Sequence, residues 1–282
     1  MSKTKIRKIL LSLFLGITVF IWYAVGAEER GGLLTVAFLD VGQGDAIFIE
    51  SPSGKQILID SGPNKKVLRE LSKQMPFYDR TLDMLIVTHP DGDHIGGFPA
   101  ILEAFQIGTI LRTGVNCQTE LCAELDKQIA TQNIAEKIAS RGMRLDLGDG
   151  VFLDILFPDR DATDFESNLS SLIIKLVFGE NSFLLTGDSP QEIEKYLVVL
   201  DAENLATDVL KIGHHGSRTS TSELFVGFVN PTLAIISVGA NNKYGHPHQE
   251  VLDILKNFEI KVLRTDQDSA IVIKSDGHNL MY

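Results

Sequence analysis

The chain has 282 residues, long for one domain yet within reach of a single layered α/β unit, and its 44% hydrophobic content suffices for a sizeable core. Lys and Arg number 26 against 37 Asp and Glu, leaving a formal charge of −11 and a pI near 5.1. That balance excludes a large non-specific nucleic-acid footprint, which needs clustered cations, but not a local cationic pocket made by metal ions.

At the N-terminus Lys3, Lys5, Arg7 and Lys8 precede an unbroken apolar run over residues 9–27 that carries Trp22 and Tyr23. Basic residues followed by an apolar core are the pattern of a signal peptide or signal anchor whose basic end stays in the cytoplasm. The run has about the ~20 residues needed to span a bilayer, which favours an uncleaved membrane anchor over cleavage after Val25-Gly26-Ala27. In either case the rest of the chain is exported: held at the cell membrane with its body outside the cytoplasm, or secreted if the segment is removed. The expected division is an anchor or signal over residues 1–30 and one body over 31–282.

From residue 33 the pattern changes. Residues 33–39 read as a strand, followed by the glycine-punctuated turn Asp40-Val41-Gly42-Gln43-Gly44-Asp45. Residues 46–49 and 56–59 form a hairpin, and its second arm ends in Asp60-Ser61-Gly62. A helical pattern through Val67, Leu68, Leu71 and Met75 follows, then a strand over 82–87 and an amphipathic helix over 98–105. Residues 107–111 are a strand and 120–129 have helical spacing. Strands are expected at 144–147, 151–157, 172–177 and 183–185, the last delivering Thr186-Gly187-Asp188. Helix 191–200, strand 209–212, helix 221–228, strand 233–238, helix 250–258 and strands 260–263 and 270–273 complete the chain. Hairpins first and alternating strands and helices later imply sheets covered by helices on their outer faces. Cys117 and Cys122 lack a second pair or a nearby His, so they form a short-loop disulfide in an oxidising compartment or remain two ordinary thiols.

The polar residues gather where strands give way to loops. Thr88-His89-Pro90-Asp91-Gly92-Asp93-His94 packs two imidazoles and two carboxylates into one turn, a set that repels itself unless a cation neutralises it. Imidazole with carboxylate suits zinc, manganese or iron better than calcium or magnesium. Asp60, Asp188, His214-His215 and His246 also follow strand runs, and in layered α/β proteins such loops converge on one edge. Singly, Asp188 reads equally well as a helix cap, Asp60-Ser61-Gly62 as an Asx turn and His214 to Ser217 as a capping turn. Five of seven histidines at such loops are harder to explain that way.

Taken together, Phe38 to Asp45, Ile59 to Gly62, Thr88 to Gly97, Leu185 to Asp188, Lys211 to Ser217 and Gly245-His246-Pro247 resemble the metallo-β-lactamase superfamily. The resemblance is strongest to the hydrolase domain of ComEC-type competence proteins, which act in DNA uptake. It implies a four-layer αββα sandwich with ligands on one rim, binding one or two divalent ions, zinc or manganese. It assigns His89 and Asp91 to a first metal, Asp93, His94 and His215 to a second, and Asp188 to a bridge between them. His246 competes with His215 for the second site. Asp60 and Asn168 would lie behind the ligands and support them. The superfamily usually has His where this chain has Asp91, and another His in the region of Ser167 to Ser171; here both are missing, leaving the first site with harder oxygen donors.

A metal-activated water would then attack a phosphorus or carbonyl centre. Asp93 or Asp188 is placed to take its proton, and His214 or His246 to donate to the departing group. Lys211, Arg218, Lys243 and Ser217 are candidate phosphate contacts, each equally readable as an ordinary surface residue. The resulting expectation is an exported phosphodiesterase or nuclease with DNA among its substrates. The alternatives are a hydrolase of lactones, β-lactams or wall-polymer phosphoesters, and a non-catalytic binding module.

Overall fold

Strands that are apolar on both faces must be covered on both, and here that requirement produces two facing sheets. The computed structural model describes residues 2–28 and 31–282, with the backbone alone for 24–28. The expected boundary at residue 30 lies outside the described residues, as do the side chains of the Val25-Gly26-Ala27 cleavage signal. The chain divides into two units, Met1–Gly32 and Leu33–Tyr282. The first is a helix, Lys3–Glu28, whose segment Lys3–Tyr23 has a mean hydropathy of 1.7 and is long and apolar enough to cross a membrane or serve as a signal.

In the second unit eight strands form one sheet, in the spatial order Leu280–Met281, Ile271–Ser275, Leu34–Phe38, Ile47–Glu50, Gln56–Ile59, Thr81–Val87, Gln106–Arg112 and Ala135–Ile138. Seven form the other: Lys261–Arg264, Leu233–Ile236, Val209–Lys211, Asn181–Leu185, Ile173–Phe178, Val151–Phe157 and Arg144–Asp146. Side-chain alternation sends Val36, Phe38, Ile57 and Ile86 inward to meet Leu153, Ile174, Phe183 and Val209 of the opposite sheet. The outward set of the first sheet, including Phe48, Leu58 and Leu85, packs against helices Lys66–Leu71, Phe98–Ala104 and Glu120–Gln132. That of the second, Leu184, Leu210 and Ile236 among others, packs against Gln191–Asp201, Glu223–Val229 and Gln249–Asn257. The architecture is the αββα sandwich.

Strand direction explains where the chemistry collects. Gln56–Ile59, Thr81–Val87 and Gln106–Arg112 run parallel, as do Asn181–Leu185, Val209–Lys211 and Leu233–Ile236. Parallel neighbours end on the same edge, so the loops after them share one rim. The short helices Gly92–Ile95 and Thr265–Asp268 and the edge strand Leu280–Met281 add to the elements read from the sequence, and two further departures have a plain physical cause. The strand Ala135–Ile138 was not expected: all four side chains are exposed, and backbone pairing with Gln106–Arg112 defines it. The helix expected from residue 221 starts at Glu223, because Thr221 has a left-handed backbone (φ 62°) and Ser222 caps the helix by accepting from the Phe225 amide.

Candidate metal centre

The rim is assembled from the strand ends outward. Asp60, fully buried at the end of Gln56–Ile59, accepts from the Thr88 amide at 2.9 Å and from Thr88 Oγ1 at 2.6 Å. Its Oδ2 lies 2.7 Å from His94 Nδ1, so the His94 ring is clamped with Nε2 facing away from Asp60. The turn before Ala46 packs against the metal-type loop so closely that a Cβ on Gly44, whose φ is +129°, would fall 2.1 Å from the Asp93 carbonyl oxygen. After Val209–Lys211 the chain doubles back through His214 and His215, both left-handed (φ 50° and 55°). Adjacent left-handed non-glycine residues are costly and persist only where surrounding contacts over-determine them. Their effect is to bring two successive imidazoles to one rim.

Asp93, His94, Asp188 and His215 each offer a ligand atom, and these atoms all lie within 4.8 Å of one another. Asp188 is the hub. Its Oδ1 is 3.3 Å from His94 Nε2, and its Oδ2 is 3.5 Å from His215 Nε2, 3.6 Å from His214 Nε2 and 3.9 Å from His89 Nε2. His215 Nε2 is also 3.3 Å from Asp93 Oδ2, and His89 Nε2 is 3.8 Å from Asp91 Oδ2. The Nε2 atoms of His89, His94 and His215 and Oδ1 of Asp188 are buried without a hydrogen-bond partner. Buried polar atoms without partners carry a desolvation cost, and four of them aimed at one spot suit a shared cation. Nitrogen and carboxylate donors together fit a borderline divalent ion.

Electrostatics runs the same way. Burial is the largest influence on His94 and His215 and opposes their charge, but the carboxylates together outweigh it, Asp188 with Asp60 at His94 and Asp188 with Asp45 and Asp93 at His215; His94 is held well above its usual range and His215 is pushed up to about 9. Burial likewise opposes ionisation of Asp188, yet His215 and His94 keep it well below the carboxylate range. A divalent ion entering this cluster competes with imidazole protons, the ordinary linkage of metal and proton binding. His89, by burial and the neighbouring His94, is pushed down to about 4 and is neutral.

Not every candidate reaches the centre. Ser167 Oγ, 2.5 Å from Asp91 Oδ1, and Ser171 Oγ, which accepts from the Asp188 amide at 3.2 Å, are the contacts from the segment around Asn168; the Asn168 side-chain oxygen is itself buried and unpartnered. The His246 ring lies beyond the cluster, its centroid 5.7 Å from His214 and 6.4 Å from His215. Ser217 Oγ lies 3.0 Å from Thr219 Oγ1, which is 3.0 Å from His214 Nδ1, and Arg218 is exposed at the edge. Lys211 has to be corrected. It is fully buried, 2.9 Å from Asp45 Oδ2, and donates to the Ile212 carbonyl, so it cannot meet a phosphate from solvent.

Its partner Asp45 is the residue that sequence reasoning missed. The carboxylate is buried, with Oδ1 3.3 Å from His215 Nδ1; the Ser237 carbonyl, nearer at 3.0 Å, takes that N–H, and Asp45 acts through its charge. Burial resists that charge, but Lys211 and His215 hold Asp45 ionised. Its place directly after a glycine-rich turn matches that of the other rim residues and was the available signal.

Residues 39–239 match the family model of the metallo-beta-lactamase superfamily. ComE operon protein 3 of Bacillus subtilis (strain 168) is 34% identical over 270 residues, 90% of this chain and 34% of that protein. Competence protein ComA of Neisseria gonorrhoeae is 30% identical over 237 residues, 84% of this chain and 31% of that protein. The chain thus spans about a third of the length of these curated relatives. Among solved structures, the metallo-beta-lactamase fold protein YhfI of Bacillus subtilis matches with a TM-score of 0.60 at 12% identity, covering 86% of this chain and 99% of that one, a likeness of fold alone. With the family match running from the first strand's end to the loop after Leu233–Ile236, and the competence relatives matching across both sheets, this chain belongs to the metallo-beta-lactamase superfamily of hydrolases.

Proposed function

We propose that the chain is an exported, metal-dependent phosphodiesterase acting on nucleic acid, held at the membrane through residues 9–27. The observation that carries the reading is the convergence of buried, unpartnered donors of His89, His94, Asp188 and His215 on one rim. Nucleic acid as the substrate class rests on the resemblance to competence proteins, which act in DNA uptake.

Asp93, His94, Asp188 and His215 would hold one ion, and His89 and Asp91 a second that shares Asp188. Zinc or manganese bound there supplies a Lewis acid and a water of lowered pKa. Asp60 keeps the His94 ring in place. Asp93, with one-third of its side chain exposed, is the carboxylate placed to accept a proton at the solvent edge. His214 is half-buried, and burial lowers its pKa despite the opposing pull of Asp188. As a neutral ring it donates one N–H hydrogen bond to a non-bridging oxygen. His246, pushed down to about 4 by burial and then by the other rim histidines, serves the departing oxygen in the same neutral form. The basic start of the apolar helix and the Cys117–Cys122 disulfide both favour export.

The test is metal analysis of the purified chain with hydrolysis of bis-p-nitrophenyl phosphate, single-stranded DNA and nitrocefin. Chelator-sensitive cleavage of the first two is expected. Cleavage of nitrocefin alone would move the assignment to lactams, and bound metal without turnover of any would leave a binding module. Protease added to intact cells should reach the body; full protection would overturn export.

A further inference from the structure

The loop between Leu233–Ile236 and Gln249–Asn257 carries an exposed aromatic ring on an unusually well-tied backbone. Asn242 uses its whole side-chain amide there: Nδ2 donates to the carbonyls of Gly239 (3.0 Å) and His246 (2.7 Å), and Oδ1 accepts from the amides of Tyr244 (3.2 Å) and His246 (3.0 Å). The Gly239 amide in turn donates to Gln43 Oε1 at 3.2 Å, anchoring the loop to the turn that packs against Asp93. Tyr244 stands on this scaffold 53% exposed, its ring stacked on His246 with centroids 5.6 Å apart and planes 22° apart. Lys243 Nζ lies over the Tyr244 ring, 5.1 Å from its centroid. Arg218 borders the same rim, its amide donating to His248 Nδ1 at 3.2 Å, and the His248 ring is 4.9 Å from His246.

We propose that Tyr244 is a stacking platform for the nucleobase beside the scissile phosphate, with Lys243 moving from the ring to the adjoining backbone phosphate. This rests on the nucleic-acid reading of the site and names what selects a single strand. The order of rings sets the geometry: Tyr244 is stacked on His246, His246 is 5.7 Å from His214, and His214 Nε2 is 3.6 Å from Asp188. A strand with a phosphate at the metal centre passes over His246 and lays its next base on Tyr244. A duplex keeps its bases stacked on one another, so only an unpaired strand has a face to offer. The chain's overall charge of −11 provides no general attraction for phosphate, so affinity must come from such local contacts. A ring stacked beforehand on His246, on a backbone that Asn242 ties down, binds with little ordering cost.

The experiment compares the metal-loaded full chain with Tyr244→Ala and Tyr244→Phe on oligothymidylate and on the same oligonucleotide built from abasic units, reading KM and kcat separately. Wild type should show a KM roughly tenfold lower for the base-carrying strand, a ratio that falls to near one in Tyr244→Ala and is restored in Tyr244→Phe. An unchanged ratio in Tyr244→Ala overturns the proposal, as does a loss confined to kcat on both substrates, which would make the residue a support for His246. A wild type that cleaves both strands equally well refutes the platform and leaves the phosphodiesterase reading standing. Cleavage of bis-p-nitrophenyl phosphate with neither strand cut removes the nucleic-acid reading and this inference together.

Discussion

Lys211→Met should destabilise the chain because it strands a buried charge, not because it weakens packing. Lys211 Nζ and Asp45 Oδ2 are 2.9 Å apart, and both side chains are 2% exposed or less. At that separation the attraction is about 6 kcal/mol for an effective dielectric of ~20, most of it offsetting the cost of withdrawing both ions from water. Methionine fills the volume but abandons Asp45, whose Oδ1 already lacks a hydrogen bond, and breaking a buried pair this way costs about 3–5 kcal/mol. Asp45→Asn with Lys211→Met removes both charges and should restore most of that stability. Metal affinity separates the two effects. Without the Asp45 carboxylate 3.3 Å from Nδ1, His215 is a poorer ligand, and the double variant should bind metal about 10–100-fold more weakly despite its recovered fold. Guanidinium unfolding and calorimetric metal titration measure the two quantities. A Lys211→Met chain within ~1 kcal/mol of wild type, a change ordinary for substitutions that leave no buried charge, would refute the reasoning.

Asp188→Asn and His215→Ala should each lose metal and activity together, whereas His214→Ala should keep metal and lower turnover by roughly 10²–10³, the loss of one hydrogen-bond donor to a developing charge. Metal lost from His246→Ala but retained by His215→Ala would reverse the proposed roles of those two loops. Burial pushes the Glu194 carboxyl up to about 7 from 4.5, although the Thr221 and Ser222 amides donate to it. The folded chain therefore keeps a proton that the unfolded chain releases: this stabilisation is full below about pH 4.5 and declines through pH 7, by about 3 kcal/mol in all, and unfolding curves of Glu194→Gln with the wild-type pH slope would rule it out. Cys117 and Cys122 are bonded, so alkylation of the folded chain without reductant should label neither; quantitative labelling of both would contradict the disulfide.

The legible parts of this molecule are those where one residue pattern has one physical meaning. Strands such as Met84 to Val87 and Leu233 to Ile236 are apolar without a break because helices cover one face and the opposite sheet the other. The rim residues could be collected by their positions after such strands, and the structure brings His89, Asp93, His94, Asp188, His214 and His215 together there. Ala135 to Ile138 was illegible because its exposed side chains follow neither period, and main-chain pairing with the neighbouring strand, joined by the Arg112–Glu136 ion pair, makes it a strand. Lys211 was misread because a lysine beside histidines suggests phosphate. Counting by two along Val209–Lys211 puts it on the same inward face as Val209, and that parity argued for burial.

Among the described residues, four of the eleven non-glycine residues with positive φ lie in the segments that build this edge. Asp60, His214, His215 and Thr221 all have left-handed backbones, at about 1–2 kcal/mol each, and Thr221 is β-branched, for which the region is least tolerant. Asp60 is tied to Thr88 and His94, His215 to the Ser237 carbonyl, and Thr221 to Glu194. Thr88, His94, Ser237 and Glu194 are themselves buried, as is the Asp45–Lys211 pair beside His215. An apolar replacement of that ion pair could stabilise the fold, since buried ion pairs are often no better than well-packed hydrophobic groups. Retaining it makes sense if the charge at His215 serves the metal more than the fold. Selection for stability alone should therefore remove Asp45 and Lys211 together, and selection for metal binding should keep both.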